Sequence, residues 1–391
     1  MADGWVAIEN GRIAGVGVGG EPDAIDLGHV VILPALVNAH THLELSYLRG
    51  AVPPADRFLD WIGGVMAARR RFPNPEDPAI LLAARVGIKE ARASGTGLVG
   101  DISNTLATVP LLREAGVPAR VFYELLGFNA HDPVGLVREA RARVDRIDSA
   151  QGDIRVSLAP HAPYSVSPAL FAAIREDLDA HPGDVSSVHV CESVDEMEFI
   201  ARGTGGWRDI LTGVGVWTDA WRAPGVSPSK YLADCGFLDS RVLAVHAVQC
   251  DGEDLSRLHT LGTTVVSCPR SNRHVGVGDP PIEAFYAMGV KVALGTDSLA
   301  SVPDLNMFGE LAAARRIAPR VSARDLIESA TLCGARALGF GDQLGSIEHG
   351  KQAMLIAVRL PEPVGDVEEY LLSGIDPAAI SWLDAAPPRA Q

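Results

Sequence analysis

The segment Asn38-Ala39-His40-Thr41-His42 sets two histidines two residues apart. On an extended strand, side chains at i and i+2 point the same way. Two imidazoles can therefore converge on one metal ion from a single strand. Taken alone, the pair reads equally well as two loop histidines. Three further elements change that balance. His189-Val190-Cys191-Glu192 follows an apolar run and offers a third imidazole. Glu192 then opens the next loop, where a carboxyl can serve as general acid or base without ligating. Gly295-Thr296-Asp297-Ser298 follows Val292–Leu294 and offers a hard carboxylate ligand and proton acceptor; an Asp N-cap for the next helix is the plain structural alternative. His246 ends the run Val242-Leu243-Ala244-Val245. Together His40, His42, His189 and Asp297 make a shell of three imidazoles and one carboxylate. Such a shell leaves a divalent ion room for a water, as a catalytic site requires.

These residues need a scaffold that brings distant strand ends together. Apolar runs predict strands at Val31–Asn38, Gly97–Asp101, Ala119–Leu125, Ile154–Ala159, Val185–Val190, Val242–Val245, Thr263–Ser267 and Lys291–Gly295. Helical patterns lie between them, as at Ala79–Ala93, Val134–Asp148 and Pro168–Leu178. Eight strands alternating with helices predict an α/β fold of the (β/α)8 barrel type. Active sites of such barrels form at the C-terminal strand ends, where the histidines fall. The chain ends differ. WVAIENGRIAGVGV and LGSIEHGKQAMLIAV carry short Val/Ile runs with Gly turns. They predict a small β-sandwich from residues 1–33 plus 341–391, beside a barrel of residues 34–340. The tail beyond residue 361 is expected to wrap the surface. The connection 193–240 is long and holds Trp207, Trp217 and Trp221. A lid over the mouth and a structural excursion buried on the rim are both open readings of it.

Composition narrows the function classes. With 34 Lys and Arg against 49 Asp and Glu, the net charge is −15, and no basic block stands out. Nucleic-acid binding and anionic-membrane partners are disfavoured. A neutral small-molecule substrate is not. No apolar run reaches the roughly 20 residues of a membrane span. The start MADGWVAIENGRIAG lacks a secretory pattern, so a cytoplasmic location is expected. The five cysteines, Cys191, Cys235, Cys250, Cys268 and Cys333, are expected as free thiols rather than a metal knuckle. Self-association is left open.

The chain resembles the amidohydrolase superfamily over nearly its whole length. The resemblance rests on NAHTHLELS (38–46), APHAPYS (159–165), HVCES (189–193), VHAVQC (245–250), SCPRSN (267–272), GTDSLAS (295–301) and ARALG…LGSIEHGK (335–351). Within it, the chain is similar to the branch that holds S-adenosylhomocysteine/5′-methylthioadenosine deaminases and aminodeoxyfutalosine deaminases. The resemblance implies a (β/α)8 barrel beside a β-sandwich from both termini. Binuclear members carry a carboxylated Lys at the end of strand 4. Ile154–Ala159 has none, and the four lysines, Lys89, Lys230, Lys291 and Lys351, stand elsewhere. One divalent metal is implied, Zn²⁺ first, with Fe²⁺ compatible. The resemblance also assigns roles. Glu192 would protonate a ring nitrogen, Asp297 would accept a proton from water, and His246 would orient the attacking oxygen. His161 and Trp61 would contact substrate, and Glu44, just after HTHL, would meet ribose hydroxyls or a base edge. Arg270 would pair with a substrate carboxylate, while Arg69-Arg70-Arg71 reads as a solvated helical face.

The expected activity is metal-dependent hydrolytic deamination of an adenine nucleoside, with aminodeoxyfutalosine as leading substrate. S-adenosylhomocysteine, methylthioadenosine or adenosine is the alternative. Hydrolysis of a cyclic amide, triazine or pterin would use the same groups. A non-catalytic homologue would be expected to lose metal ligands, and all four positions are present.

Overall fold

The computed structural model describes residues 3–21, 23–148 and 153–383. The remaining residues, including 384–391 of the expected terminal unit, lie outside the described residues. The chain enters as a hairpin of β1 (Gly4–Glu9) and β2 (Arg12–Val18). Asn10 and Gly11 turn it with φ of 50° and 73°, the backbone that a two-residue hairpin of matching twist requires. β3 (Val30–Pro34) then pairs antiparallel with β12 (Leu355–Arg359), which pairs with β13 (Ile380–Trp382). Hairpin and C-terminal segment meet where Ile13 N donates to Lys351 O and Gly350 N to Ile13 O. Both chain ends thus build antiparallel sheet.

The barrel strands are β4 (Leu36–Thr41), β5 (Thr96–Ser103), β6 (Ala119–Leu125), β7 (Ile154–Pro160), β8 (Ser186–Val190), β9 (Val242–His246), β10 (Thr264–Ser267) and β11 (Lys291–Leu294). They form two parallel four-stranded sheets, β4-β5-β6-β7 and β8-β9-β10-β11. One expectation needs correction. The single predicted strand Val31–Asn38 is two strands in two sheets. Pro34 has no N–H to donate, and the chain changes sheet there: Ala35 N bonds Met354 O, whereas Leu36 N bonds Gly95 O. An apolar run shows that a strand is buried, not which sheet buries it.

Side chains join a few backbone hydrogen bonds, His189 N to His161 O and Asp297 N to His40 O, in closing the two seams between the sheets. At β7–β8, Ser157 Oγ donates to Val185 O at 2.6 Å and Ser186 Oγ to Leu158 O at 2.9 Å. At β4–β11, Thr41 bridges Asp297, and Asn38 Nδ2 donates to Thr296 Oγ1 at 2.7 Å while Asn38 Oδ1 accepts from Thr296 N at 3.0 Å. Inward residues such as Val37, Leu98, Phe122, Leu243, Val266 and Ala293 fill the barrel, as alternation across each strand dictates. In the 193–240 excursion all three tryptophans pack on aromatic neighbours. Trp207 stacks on Tyr164 at 3.7 Å, Trp221 on Phe199 at 4.6 Å, and Trp217 on Phe128 at 5.9 Å. No described helix is long and apolar enough to cross a membrane.

The β4–β11 seam has no room for a side chain at Gly295. A Cβ there would stand 2.7 Å from His40 O and 2.8 Å from His40 Cβ. Overpacking of this kind costs about 1–3 kcal/mol. Gly295→Ala is therefore expected to lower the denaturant midpoint. Gly63→Ala, on an exposed helical position with nothing within 4 Å, is expected not to. Equal midpoints for wild type and Gly295→Ala would contradict this seam.

Candidate active site

The backbone turns hard at the strand ends that face the mouth. Cys191, His246, Ala247 and Asp297 hold φ of 52°, 73°, 50° and 62°, a left-handed region that costs non-glycine residues of order 1–3 kcal/mol. β4 also slips register against β5 between Asn38 and Thr41, and such a bulge re-aims side chains. The result is a knot of imidazoles. His40 lies 4.9 Å, centroid to centroid, from both His42 and His189, and 5.7 Å from His246. His189 and His246 stack at 5.5 Å.

Asp297 Oδ1 stands 3.4 Å from His42 Nε2 and 3.8 Å from His40 Nε2. Ligand atoms about 2.1 Å from a tetrahedral ion stand roughly 3.4 Å apart, so the spacing fits. The chemistry of the donors fits too. Burial, and then neighbouring imidazoles, hold His40 and His189 below the ordinary histidine range. Burial takes His42 down to about 3, against the pull of Asp297. Neutral imidazoles keep a lone pair to give. Both ring nitrogens of His40 are buried without any hydrogen-bond partner. His189 Nδ1 donates to the His161 carbonyl at 2.9 Å, which leaves Nε2 as the lone-pair nitrogen. Ligand atoms of His40, His42 and Asp297 lie within 4.8 Å of one another, as do those of His40, His189 and His246.

Residues not singled out by sequence hold this set. Ser271 Oγ donates to Asp297 Oδ2 at 2.6 Å, so Oδ1 is the oxygen turned to the imidazoles. Burial pulls Asp297 upward, but His42, His246 and Ser271 outweigh it and keep its carboxyl below the usual range. Asn272 Oδ1 accepts from His246 Nδ1 at 2.8 Å, which leaves Nε2 facing Glu192 Oε1 at 3.5 Å. Ser271 and Asn272 sit in SCPRSN, where motif position was the one available signal. Glu192 itself accepts no hydrogen bond. Burial, then the Asp297 and Glu196 carboxylates, raise its proton affinity well above the ordinary range. Its backbone is pinned by Glu196, which accepts from Glu192 N at 2.8 Å and Cys191 N at 3.0 Å. Folding also brings Cys191 and Cys250 beside Asp254. That carboxylate is already taken by Ser227, Ser229 and Arg257.

The expected substrate contacts fare unequally. His161 lies 5.1 Å from the His189 ring and hydrogen-bonds Ser165 Oγ at 2.6 Å. Trp61 is 8% exposed, with its indole N–H buried and unpartnered. Glu44 is not a free rim carboxylate. It accepts from Ser103 Oγ, Asn104 N and Thr105 Oγ1, each at 2.8 Å, and so ties the first loop to the end of β5. Arg270 requires correction as a substrate carboxylate partner. Its Nε donates to Glu310, and its terminal nitrogens donate to Asp304 and the Asn306 carbonyl. With four of its five N–H groups given to the chain, this guanidinium cannot pair bidentately with a ligand carboxylate. Arg69 keeps the expected solvated face, exposed together with Arg70 and Arg71, and from there it donates to Asn104 Oδ1 at 3.3 Å while its charge reaches His161 and Glu124.

The amidohydrolase family model matches residues 31–381. The chain belongs to the amidohydrolase family. It is 33% identical over 318 residues to the aminodeoxyfutalosine deaminase of Deinococcus radiodurans, covering 79% of this chain and 73% of that one. It is 29% identical over 391 residues to the 5-methylthioadenosine/S-adenosylhomocysteine deaminase of Moorella thermoacetica, covering 95% and 86%. Among solved structures it resembles a zinc-bound adenosine deaminase from Xanthomonas campestris, with TM-score 0.81, 27% identity and coverage of 97% and 86%. It also resembles the aminofutalosine deaminase of Helicobacter pylori in complex with methylthio-coformycin, with TM-score 0.82, 25% identity and coverage of 95% and 91%. This amidohydrolase is a hydrolytic enzyme.

The buried imidazoles make the amidohydrolase acid-sensitive in a definite direction. Burial, aided by Arg69, takes His161 from 6.5 down to about 4. The unfolded chain therefore binds this proton first, and stability falls as pH drops from 6.5 toward 4. In metal-free protein, His161→Asn is expected to make that fall shallower, read as denaturation midpoints at about pH 7 and about pH 5. An unchanged slope would contradict a buried neutral His161.

Proposed function

We propose that this chain hydrolytically deaminates an adenine nucleoside, with aminodeoxyfutalosine as leading substrate and one divalent metal, zinc first, held by His40, His42, His189 and Asp297. The observation that carries the reading is Glu192. It is a buried carboxyl without a hydrogen-bond partner, 3.5 Å from His246 and with raised proton affinity. A group in that state donates a proton to an incoming base. It suits the ring nitrogen of an amidine better than the alkoxide of an ester. The deaminase names of the relatives support the same class.

A divalent ion at the four ligands would supply Lewis acidity, lowering the pKa of a water toward ~7. The chain's own groups do the rest. Asp297 Oδ1 accepts the proton of the attacking water; its partner oxygen is fixed by Ser271. His246, oriented through Nδ1 by Asn272, keeps Nε2 for the attacking oxygen. Glu192 gives its proton to the ring nitrogen beside the amino-bearing carbon, which makes that carbon electrophilic. After attack, the proton held by Asp297 passes to the amino group, which leaves as ammonia when the C–N bond breaks, and the new hydroxyl returns a proton to Glu192 as the ring carbonyl forms. His161, beside the His189 ring, and Trp61, with its indole N–H unpartnered, are the substrate contacts in this reading.

Aminodeoxyfutalosine extends an adenine nucleoside with a carboxylated aromatic group. The cation we assign to that carboxylate is Arg69, whose charge reaches Tyr47 and His161. It follows in the chain just before Phe72, whose ring lies 5.0 Å from Tyr47. A cation beside two partly open rings suits an aromatic carboxylate. The Moorella relative favours methylthioadenosine or adenosylhomocysteine as the second reading, since its match covers 95% of this chain.

The test is ammonia release from a panel of aminopurine nucleosides by metal-loaded protein. Turnover is expected to be best on aminodeoxyfutalosine and slower on adenosine and methylthioadenosine. Glu192→Gln is expected to lose about 100-fold or more in kcat. Better turnover of adenosylhomocysteine would overturn the substrate, and a fully active Glu192→Gln would overturn the proton donor.

A further inference from the structure

Glu124 stands one residue before the end of β6, and no step above uses it. It is 6% exposed. Its Oε2 accepts from Asn104 Nδ2 at 2.8 Å. Its Oε1 accepts no hydrogen bond. The imidazole N–H of His189 is 3.6 Å from it, but that N–H is already given to the His161 carbonyl at 2.9 Å. A carboxylate oxygen of Glu124 and ring nitrogens of His161 and His189 lie within 4.8 Å of one another. That oxygen therefore stands beside the two imidazoles with acceptor capacity in reserve. A carboxylate oxygen in that state can take a hydrogen bond from a ligand.

The neighbours narrow what that donor is. Glu44 is taken up by three donors from the end of β5. Asn104 joins the two carboxylates: its N serves Glu44, its Nδ2 serves Glu124, and its Oδ1 accepts from Arg69. Arg69 thus places a positive charge behind the amide that holds Glu124. A cationic ligand group would meet that charge, whereas a neutral hydroxyl would not. The position agrees with a sugar. In an adenine nucleoside the amino carbon and the sugar sit on opposite rings of the base. Glu124 lies on the far side of the His189 ring from the metal-facing nitrogen, and Glu192 lies beside the reacting position. We propose that Glu124 is a specificity-determining residue that accepts a hydrogen bond from a ribose hydroxyl of the substrate. This rests on the nucleoside deaminase reading above.

The test compares kcat/KM for adenosine and 2′,3′-dideoxyadenosine in wild type, Glu124→Ala and the isosteric Glu124→Gln, with metal content and melting temperature recorded for each. A hydrogen bond to a charged acceptor predicts a wild-type preference for adenosine of about 10- to 100-fold. In Glu124→Ala the preference is expected to collapse to within about 3-fold through loss on adenosine alone, and in Glu124→Gln to fall between. If the alanine variant does not fold, the glutamine variant carries the comparison. A preference unchanged in the variants overturns the inference. So does an equal loss on both compounds, which would make Glu124 a positioning residue for His189. Ammonia from neither compound, nor from aminodeoxyfutalosine, with wild type removes the parent reading, and this inference with it; release from both with an unaltered ratio removes this inference alone.

Discussion

His40 is wholly out of water, and neither of its ring nitrogens has a hydrogen-bond partner among the described residues. Around it stand three more imidazoles and Asp297, all drawn from strand ends. Taking a polar ring out of water without a hydrogen bond is costly, and packing neutral imidazoles edge to edge does not repay it. A cation does, because every lone pair then has an acceptor of the right charge. The arrangement is one that a cation among these rings would stabilise.

The same residues hold the barrel shut. Asn38 and Thr296 exchange two hydrogen bonds across the β4–β11 seam, and Thr41 Oγ1 donates to the Asp297 carbonyl at 2.9 Å. Asp297 N in turn donates to His40 O at 3.0 Å. The ligand strands are thus stitched to each other directly below the ligands, so the site's geometry and the closure of the fold are one constraint. The strained φ values at Cys191, His246 and Asp297 belong to that constraint. They are tolerated because sheet hydrogen bonding on one side and polar contacts on the other leave the chain no alternative.

Much of this was legible before any coordinates. Strand β6 runs Ala119–Leu125 as its apolar run predicts, and β7 through β11 match to within a residue or so at their ends. Burial on both faces leaves a continuous Val/Leu/Ile signature that composition alone reveals. His40, His42, His189, His246, Glu192 and Asp297 could be picked out because each follows such a run. The substrate contacts were less legible. Glu44 and Arg270 have the right chemistry and the right place in the chain, but most of their capacity is absorbed internally, by Ser103, Asn104 and Thr105 in one case and by Glu310, Asp304 and Asn306 in the other. Hydrogen-bond saturation is a tertiary property without a sequence period. For the same reason Glu124 carries no signal, and Ser271 and Asn272 carry only their place in SCPRSN: each matters through one atom met across the barrel.

The claim on which the rest depends is that His40, His42, His189 and Asp297 hold one divalent ion. Elemental analysis of protein reconstituted with zinc and freed of excess metal tests it most directly, with His40→Ala alongside. The account predicts about one equivalent per chain in wild type and close to none in the variant. Wild-type protein that is folded yet retains no transition metal after reconstitution would contradict it.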